Sequence, residues 1–167
     1  MRVLFMCTAN SCRSILSEAL FNHLAPEGFE AVSSGSFPKG QVLPRSLATL
    51  QRAGISVQGL SSKGNDAFEG SPPDIVITVC DKAAGEACPV WPGQPMTAHW
   101  GIEDPAALSG SDIQKEAAFA DAFRYLRNRI SVFTALPLRS LDTVALGTKL
   151  REIGQLAGST TRRPDVA

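Results

Sequence analysis

The sequence has no net charge and no long apolar run. Its 16 lysine and arginine residues balance 16 aspartate and glutamate residues, so the chain has no electrostatic footprint for nucleic acid or an anionic membrane. No apolar run approaches the roughly 20 residues of a membrane span, and the first residues lack the basic leader and cleavage site of a signal peptide. We therefore expect a cytoplasmic protein that binds neither nucleic acid nor membrane.

Cysteines and aromatic residues are also few. Four cysteines in 167 residues do not make the disulfide framework of a secreted domain, and they favour reactive or metal-binding thiols instead. The aromatic content of 7%, with a single tyrosine, offers no obvious stacking wall for an aromatic substrate. The remaining composition, 44% hydrophobic and 19% charged, is typical of one globular domain with a sizeable core.

The most informative stretch is VLFMCTANSCRS, residues 3–14. An apolar run of strand length leads into short polar residues, and an apolar pattern of helical spacing follows. The stretch therefore predicts a strand, a tight loop and a helix capped by Ser14. Backbone N–H groups of such a loop and the positive end of the helix dipole converge on a point that favours an oxyanion. The candidate oxyanion-binding residues are Thr8, Ala9, Asn10, Ser11, Cys12, Arg13 and Ser14.

Cys7 opens this loop and Arg13 closes it. The positive field that attracts an oxyanion also favours the thiolate of Cys7, which is the nucleophilic form. A lone cysteine after a strand is usually an inert core thiol, and a lone arginine at a helix start is usually solvated or capping. Their Cys-x5-Arg spacing at a strand-to-helix turn, with small residues between them, favours a reaction centre for phosphate-like groups.

Strand and helix patterns alternate along the chain. Apolar runs predict strands at residues 2–6, 29–34, 74–79 and 96–100. Helical spacing predicts helices at residues 14–25, 43–53, 111–133 and 138–156, with a helical turn at 65–68. The alternation is typical of an α/β fold, a doubly wound open four-stranded parallel sheet with helices on both faces. We assign residues 1–135 to a catalytic domain and residues 136–167 to a helical extension with a flexible tail, disordered from Gly158 onward.

Two further chemical groups follow predicted strands. Cys80 ends the third strand, and Asp104 with Pro105 follows the fourth. Because ligands of open α/β sheets bind beyond the carboxyl ends of the strands, Cys7, Cys80 and Asp104 should share one rim. Asp-Pro by itself is an ordinary turn, but beside an oxyanion loop its carboxyl group is a candidate acid for protonating a leaving oxygen.

Cys80 and Cys88 form a pair whose role the spacing leaves open. Structural zinc sites have closer cysteine pairs and four ligands. The other candidate ligands are Cys7, Cys12, His23 and His99. Two of these lie in the oxyanion loop, so we expect no metal site. Two plain buried thiols are one alternative, and the other is a redox relay in which a loop carrying Cys88 moves oxidation away from Cys7.

The loop sequence CTANSCRS resembles the signature of the low-molecular-weight tyrosine phosphatase superfamily, in which the thiolate attacks and the arginine clamps the tetrahedral oxyanion. Three more segments resemble the arsenate reductases of that superfamily, usually coupled to thioredoxin: VCD at residues 79–81, ACP at 87–89 and HWGIEDPA at 99–106. The resemblance runs from Met1 to about Phe133. The chain departs from it at Ala9, where many relatives have glycine, in a longer loop between the two cysteines and in the C-terminal extension.

This resemblance implies an arsenate reductase that needs no cofactor. Cys7 would attack arsenate bound in the loop while Asp104 protonates the departing oxygen. Phosphate or sulfate would bind in the same place as arsenate. Cys80 would then attack Cys7 and release arsenite, and Cys88 would form with Cys80 a disulfide that thioredoxin, glutaredoxin or another thiol reduces. Cys12 should pack rather than react. Two other functions stay open: a phosphotyrosine phosphatase in which the Cys80 and Cys88 pair is a bystander, and a non-enzymatic thiol redox sensor or zinc-binding module.

The resemblance also bears on potassium. Some similar reductases bind this ion near the loop through positions that match Asn10, Glu18 and Ser33, together with a carboxylate aligned near Lys63. A lysine ammonium group there would occupy or repel the cation site and pair with Glu18. We therefore expect no potassium dependence.

Overall fold

Four parallel strands form the central sheet in a computed structural model that describes residues 1–81, 91 and 93–160. The strands are β1 (Arg2–Cys7), β2 (Glu30–Gly35), β3 (Ile75–Thr78) and β4 (Met96–His99). Their order is β2-β1-β3-β4, and every neighbouring pair is parallel. The predicted parallel sheet is confirmed, and each predicted strand agrees with an observed one to within one residue at either end.

Within the described residues, four α-helices pack with this sheet. They are α1 (Arg13–Leu24), α2 (Pro44–Arg52), α3 (Asp112–Ala135) and α4 (Thr143–Ile153), and two 3-10 helices span Asn65–Phe68 and Pro105–Ala107. Helix α4 is shorter than predicted because the Asp142 side chain caps its start by accepting from the Ala145 N–H (2.8 Å). No helix among the described residues is long and apolar enough to cross a membrane.

The side chains of β1 alternate between two apolar layers. Each α-helix contributes to the larger layer, which contains Val3, Phe5, Leu20, Leu50, Phe133 and Leu150. The opposite layer contains Leu4, Met6, Phe68, Val76 and Trp91. Strand β1 is therefore covered on both faces, which accounts for its unbroken hydrophobic sequence.

The C-terminal extension shares this core. Leu146, Leu150 and Ile153 of α4 are buried in the larger apolar layer. The indole N–H of Trp100 donates to the Leu150 carbonyl at 2.8 Å. Because Trp100 directly follows β4, helix α4 packs against the edge of the sheet that this strand forms.

The chain after α4 returns to the sheet. We expected disorder from Gly158 onward, and this is wrong for the first three of these residues, because polar groups at the end of the sheet bind them. Thr160 donates through its backbone N–H to the Gly101 carbonyl (3.0 Å) and through its hydroxyl to Asp81 Oδ1 (2.9 Å). Residues 161–167 lie outside the described residues, so the flexible tail remains a prediction.

Replacing Leu150 by alanine tests whether α4 belongs to the core of the whole domain. Its side chain is fully buried, and removing a buried leucine costs about 2–5 kcal/mol of unfolding free energy because a cavity remains. We expect Leu150→Ala to show that loss in one cooperative denaturation transition. Val144→Ala on the same helix is the control, since Val144 is 78% exposed. A separate early transition, with the main transition unchanged, would show that the extension folds apart from the core.

Candidate active site

Residues 7–14 form a loop and helix start that we call the cradle. The carbonyls of Thr8, Ala9 and Ser11 accept hydrogen bonds of 2.8, 3.0 and 3.1 Å from N–H groups of the chain that follows β2. These three carbonyls are thus bound to the chain after β2, while the Asn10 N–H points inward to the Cys7 sulfur. Gly35 at the end of β2 permits this packing, since a Cβ there would lie 2.5 Å from the Thr8 carbonyl oxygen.

Asn10 holds the cradle in shape. Its backbone has φ +46°, a left-handed conformation that asparagine tolerates better than most residues, and the residue is fully buried. Its Nδ2 donates to the hydroxyls of Ser14 (2.8 Å) and Ser33 (2.9 Å), and its Oδ1 accepts from the Lys63 N–H (2.9 Å). One side chain thus joins the loop to α1, to β2 and to the segment before the first 3-10 helix.

Cys7 lies at the floor of the cradle. Its Sγ is 2.9 Å from the Ser14 hydroxyl and accepts a hydrogen bond from the Asn10 N–H at 3.3 Å. Because the Ser14 oxygen already accepts from Asn10, its own hydrogen is available to the sulfur. Two hydrogen-bond donors therefore point at the sulfur of the candidate nucleophile.

Helix α1 begins at Arg13 without a side-chain cap. Its N-cap residue is Cys12, and the first turn contains no acidic residue. The prediction that Ser14 caps the helix is wrong, because its hydroxyl binds Cys7 and Asn10 instead. The N–H groups and the positive dipole of this helix end are therefore left for an anion.

Arg13 and Asp104 meet at the rim of the cradle, as predicted. The Nη1 of Arg13 donates to the Ile102 carbonyl at 2.9 Å, and its Nη2 lies 3.6 Å from Asp104 Oδ2. The other carboxylate oxygen of Asp104 accepts from the Ala106 N–H (3.0 Å) and so caps the 3-10 helix Pro105–Ala107. This hydrogen bond holds the Asp104 carboxyl group beside the Arg13 guanidinium group at the rim of the cradle.

The remaining cysteines occupy different environments. The Sγ of Cys80 lies 3.6 Å from Thr8 Oγ1, so the structure brings this cysteine to the cradle. Burial raises the pKa of Cys12 to about 12, against a lowering hydrogen bond with Ser46, and its thiol therefore stays protonated at neutral pH. Cys88 lies outside the described residues, and the role predicted for it remains a prediction.

A cavity of about 1010 Å³ adjoins the cradle. Its lining includes Arg13, Cys80, Asp81, Asp104, Tyr125 and residues 158–160. Five of these lining residues were not among the predicted site residues: Asp81, Tyr125 and residues 158–160. Asp81 carried a signal, since it directly follows Cys80. Tyr125 and residues 158–160 come near the cradle only because α3 and the extension pack there.

Behind the cradle, Lys63 pairs with Glu18, as predicted. Lys63 Nζ lies 3.8 Å from Glu18 Oε2, which also accepts from the Ser33 hydroxyl at 2.5 Å. Burial raises the pKa of Glu18, while the Ser33 hydrogen bond and the Lys63 charge oppose that rise. Within the described residues, no group of three or more histidine, cysteine or acidic side chains is placed to hold a metal ion.

Replacing Lys63 by methionine should destabilise the protein at neutral pH. Because the folded-state pKa of Glu18 is raised, stability is lost as the pH rises from the ordinary value of 4.5 through the folded-state pKa. Without the Lys63 ammonium group the folded-state pKa of Glu18 rises further, so more stability is lost at neutral pH. We expect the free energy of unfolding at pH 7 to fall by about 1–2 kcal/mol.

Denaturation at several pH values checks this expectation. The difference between Lys63→Met and the wild-type protein should shrink as the pH falls below the raised folded-state pKa of Glu18, because protonation removes the charge that Lys63 balances. Lys39→Met, at an exposed lysine, is the control. A loss in Lys63→Met that is the same at acid and neutral pH would contradict the pairing.

Comparisons with known proteins agree with this geometry. Residues 2–140 match the low molecular weight phosphotyrosine protein phosphatase family. The arsenate reductase of Halalkalibacterium halodurans is 31% identical over 131 residues, which cover 78% of this chain and 93% of that protein.

Two solved structures are also similar. An arsenate reductase in its phosphate-binding state has a TM-score of 0.66 and 27% identity, with 80% of this chain and 96% of that chain covered. A thioredoxin-dependent arsenate reductase of Corynebacterium glutamicum has a TM-score of 0.54 and 27% identity, with 77% and 61% covered. The family match spans well over half of the sequence and includes the cradle, Cys80 and Asp104. The chain therefore belongs to the low molecular weight phosphotyrosine protein phosphatase family.

Proposed function

We propose that this protein is an arsenate reductase, which converts arsenate to arsenite with a cysteine nucleophile and a relay of three cysteines. The observation that carries the proposal is the position of Cys80 at the cradle, with its Sγ 3.6 Å from Thr8 Oγ1. Hydrolysis of a phosphate ester needs one reactive cysteine, Cys7, whereas reductive release of arsenite needs a second thiol within reach of the first. The arsenate reductases among the similar proteins support the same assignment.

The cradle is suited to arsenate as a tetrahedral oxyanion. The loop amides and the N-terminus of α1 offer hydrogen bonds and positive charge, and the Arg13 guanidinium group closes the site. Phosphate and sulfate share this shape and charge and would bind in the same place. In the first step the Cys7 thiolate attacks arsenic, Asp104 gives a proton to the oxygen that leaves as water, and a bond forms between Cys7 and arsenic.

In the second step the sulfur of Cys80 attacks the sulfur of Cys7. A disulfide forms between them, the bond from Cys7 to arsenic breaks, and its electron pair stays on arsenic. The arsenic thereby passes from the pentavalent to the trivalent state and leaves as arsenite, while the two cysteines are oxidised. Cys88 then attacks Cys80, which frees Cys7 and presents a disulfide of Cys80 and Cys88 to a reductant.

The reductant that we propose is a protein dithiol of the thioredoxin type. The thioredoxin-dependent reductase of Corynebacterium glutamicum supports this choice. Glutaredoxin and small thiols also attack exposed disulfides. Supplying each of the three in turn to the purified enzyme, and measuring arsenite, identifies the one that sustains turnover.

A phosphotyrosine phosphatase is the second candidate. The family bears that description, and a cavity of about 1010 Å³ beside the cradle is larger than a tetrahedral oxyanion requires. Cys7, Arg13 and Asp104 would act on a phosphate ester in the same way. This alternative gives Cys80 no part in the reaction, so changes at Cys80 separate the two functions.

A change at Cys80 should separate arsenate reduction from the hydrolysis of a phosphate ester. We expect Cys7→Ser to lower both arsenate reduction and hydrolysis of a small aryl phosphate by roughly a thousandfold or more, because both need the thiolate. Cys80→Ser should stop arsenite formation but keep aryl phosphate hydrolysis within about twofold of the wild type. Arsenite is measured with the reductant system present, and hydrolysis by release of the phenol. Arsenite formation that survives Cys80→Ser would overturn the relay, whereas hydrolysis by the wild-type enzyme without any arsenite formation would favour the phosphatase.

Potassium should not stimulate either activity. Lys63 Nζ lies 3.8 Å from Glu18 Oε2 and supplies there the positive charge that a cation would bring. We expect equal rates of aryl phosphate hydrolysis in potassium chloride and sodium chloride at the same ionic strength. Lys63→Ala is the comparison variant, because it removes the charge and should gain a potassium response. Stimulation of the wild-type enzyme by potassium would be inconsistent with this role of Lys63.

A further inference from the structure

The carboxylate of Asp81 joins three segments of the chain. Its Oδ1 lies 2.7 Å from His99 Nε2 and accepts a hydrogen bond from the Thr160 hydroxyl at 2.9 Å. Because a carboxylate only accepts, Nε2 carries the hydrogen. The other ring nitrogen of His99 lies 2.8 Å from the Thr78 hydroxyl, which fixes the ring. We call Asp81, His99 and Thr160 the Asp81 node.

Gly101 leaves the space in which this node forms. A Cβ at position 101 would collide with Thr160 Oγ1 and would lie 2.6 Å from Asp81 Oδ1 and 2.7 Å from His99 Nε2. Contacts this short do not occur, so a side chain at this position would push the three polar groups apart. The glycine between Trp100 and Ile102 is therefore required by the node itself.

The segment that brings Thr160 to the node is held along its length. We call residues 156–160 the C-terminal strap. The Leu156 carbonyl accepts a hydrogen bond from the buried Arg129 at 3.2 Å. Gly158, at φ +90°, packs on the ring of Tyr125, where a Cβ would collide with the ring carbons. The strap therefore presents the Thr160 hydroxyl from a defined position.

The strap lies beyond the C-terminal end of the family match. The family match ends at residue 140, whereas Thr160 is anchored to the sheet by its N–H, which donates to the Gly101 carbonyl at 3.0 Å. The node thus combines two residues of the family domain, Asp81 and His99, with one residue of the extension.

Cys80 lies between two residues that hydrogen bonds hold in place. On one side the Val79 N–H donates to the Met6 carbonyl at 2.9 Å. On the other side is Asp81, whose carboxylate the node holds. Between them the side chain of Cys80 is almost fully buried, with its Sγ 3.6 Å from Thr8 Oγ1. Fixing the residues on both sides of Cys80 limits where its sulfur points.

We propose that the Asp81 node positions Cys80 for its attack on Cys7, an inference that rests on the proposed function. In that step the disulfide of Cys80 and Cys7 forms, the bond from Cys7 to arsenic breaks with its electron pair on arsenic, and the proton of the Cys80 thiol passes to solvent. The attacking sulfur must approach in line with the breaking bond, so a small displacement of Cys80 lowers the rate. The node takes no part in the first step, in which Cys7 attacks the bound anion.

Five variants of the full-length protein test the proposal. Thr160→Val removes the hydroxyl at constant shape, Thr160→Ser restores it, and Gly101→Ala disturbs the node from another segment. Thr148→Val is the threonine control, since Thr148 is exposed on α4. Gly147→Ala is the glycine control, because a Cβ there would have its nearest contact at 3.5 Å.

Two rates are measured for each variant. The first is arsenite formation in a single turnover without added reductant, which requires Cys80. The second is steady-state hydrolysis of a small aryl phosphate, which requires Cys7 alone. We expect Thr160→Val and Gly101→Ala to slow arsenite formation about tenfold, the effect of losing one hydrogen bond to a charged group. Hydrolysis should stay within about twofold of the wild type, and Thr160→Ser and both controls should behave like the wild type in both assays.

Alkylation of Cys80 by iodoacetamide gives a readout that does not depend on arsenate. Trypsin cleaves after Lys82 and so separates Cys80 from Cys88, which allows the labelling of each to be followed by mass spectrometry. We expect Thr160→Val and Gly101→Ala to label Cys80 faster than the wild-type protein, because the node no longer holds it in its buried position. Thr160→Ser should restore slow labelling.

The outcomes are distinguishable. Unchanged labelling of Cys80 in both Thr160→Val and Gly101→Ala would overturn the inference, and so would an equal fall of arsenite formation and aryl phosphate hydrolysis, which marks a general structural role. A wild-type enzyme that hydrolyses the aryl phosphate but forms no arsenite would overturn the proposed function instead. Labelling of Cys80 would then decide by itself whether the node positions this residue.

Discussion

The candidate site depends on the hydrogen bonds of the buried Asn10 side chain. A left-handed backbone at a residue other than glycine costs on the order of 1–3 kcal/mol, and here φ is +46°. The conformation persists because the side chain makes hydrogen bonds to Ser14, Ser33 and Lys63, while the N–H of the same residue donates to Cys7. These bonds hold the loop in shape and direct the Asn10 N–H to the nucleophile.

The protein places its cysteines in environments that match their proposed parts. Cys7 has two hydrogen-bond donors and lies beside the start of α1. Cys12, only a few residues away, is desolvated to a pKa of about 12 and stays neutral. Cys80 comes to the same rim from β3. Chemistry at this rim is therefore directed by local electrostatics as well as by proximity.

The C-terminal extension is part of both the core and the site. Leu150 packs in the larger apolar layer, and its carbonyl binds the indole of Trp100. Thr160 ends the same segment on the carboxylate of Asp81. Because Trp100 and Gly101 are neighbours, the extension is attached to one short stretch after β4 both by an apolar contact and by hydrogen bonds. We infer that the stability of the extension and its contact with Asp81 are linked.

The sequence by itself determined the four strands and the cradle, and the family resemblance added the pairing of Lys63 with Glu18. Apolar periodicity and the short loop after β1 are properties of neighbouring residues, which local patterns record. Only the tertiary structure decided that Thr160 reaches Asp81 across 79 positions, and that the backbone of Gly158 packs on the ring of Tyr125. Such contacts depend on how distant elements pack, and no spacing along the chain encodes them. The cradle was therefore predictable, whereas the node beside it was not.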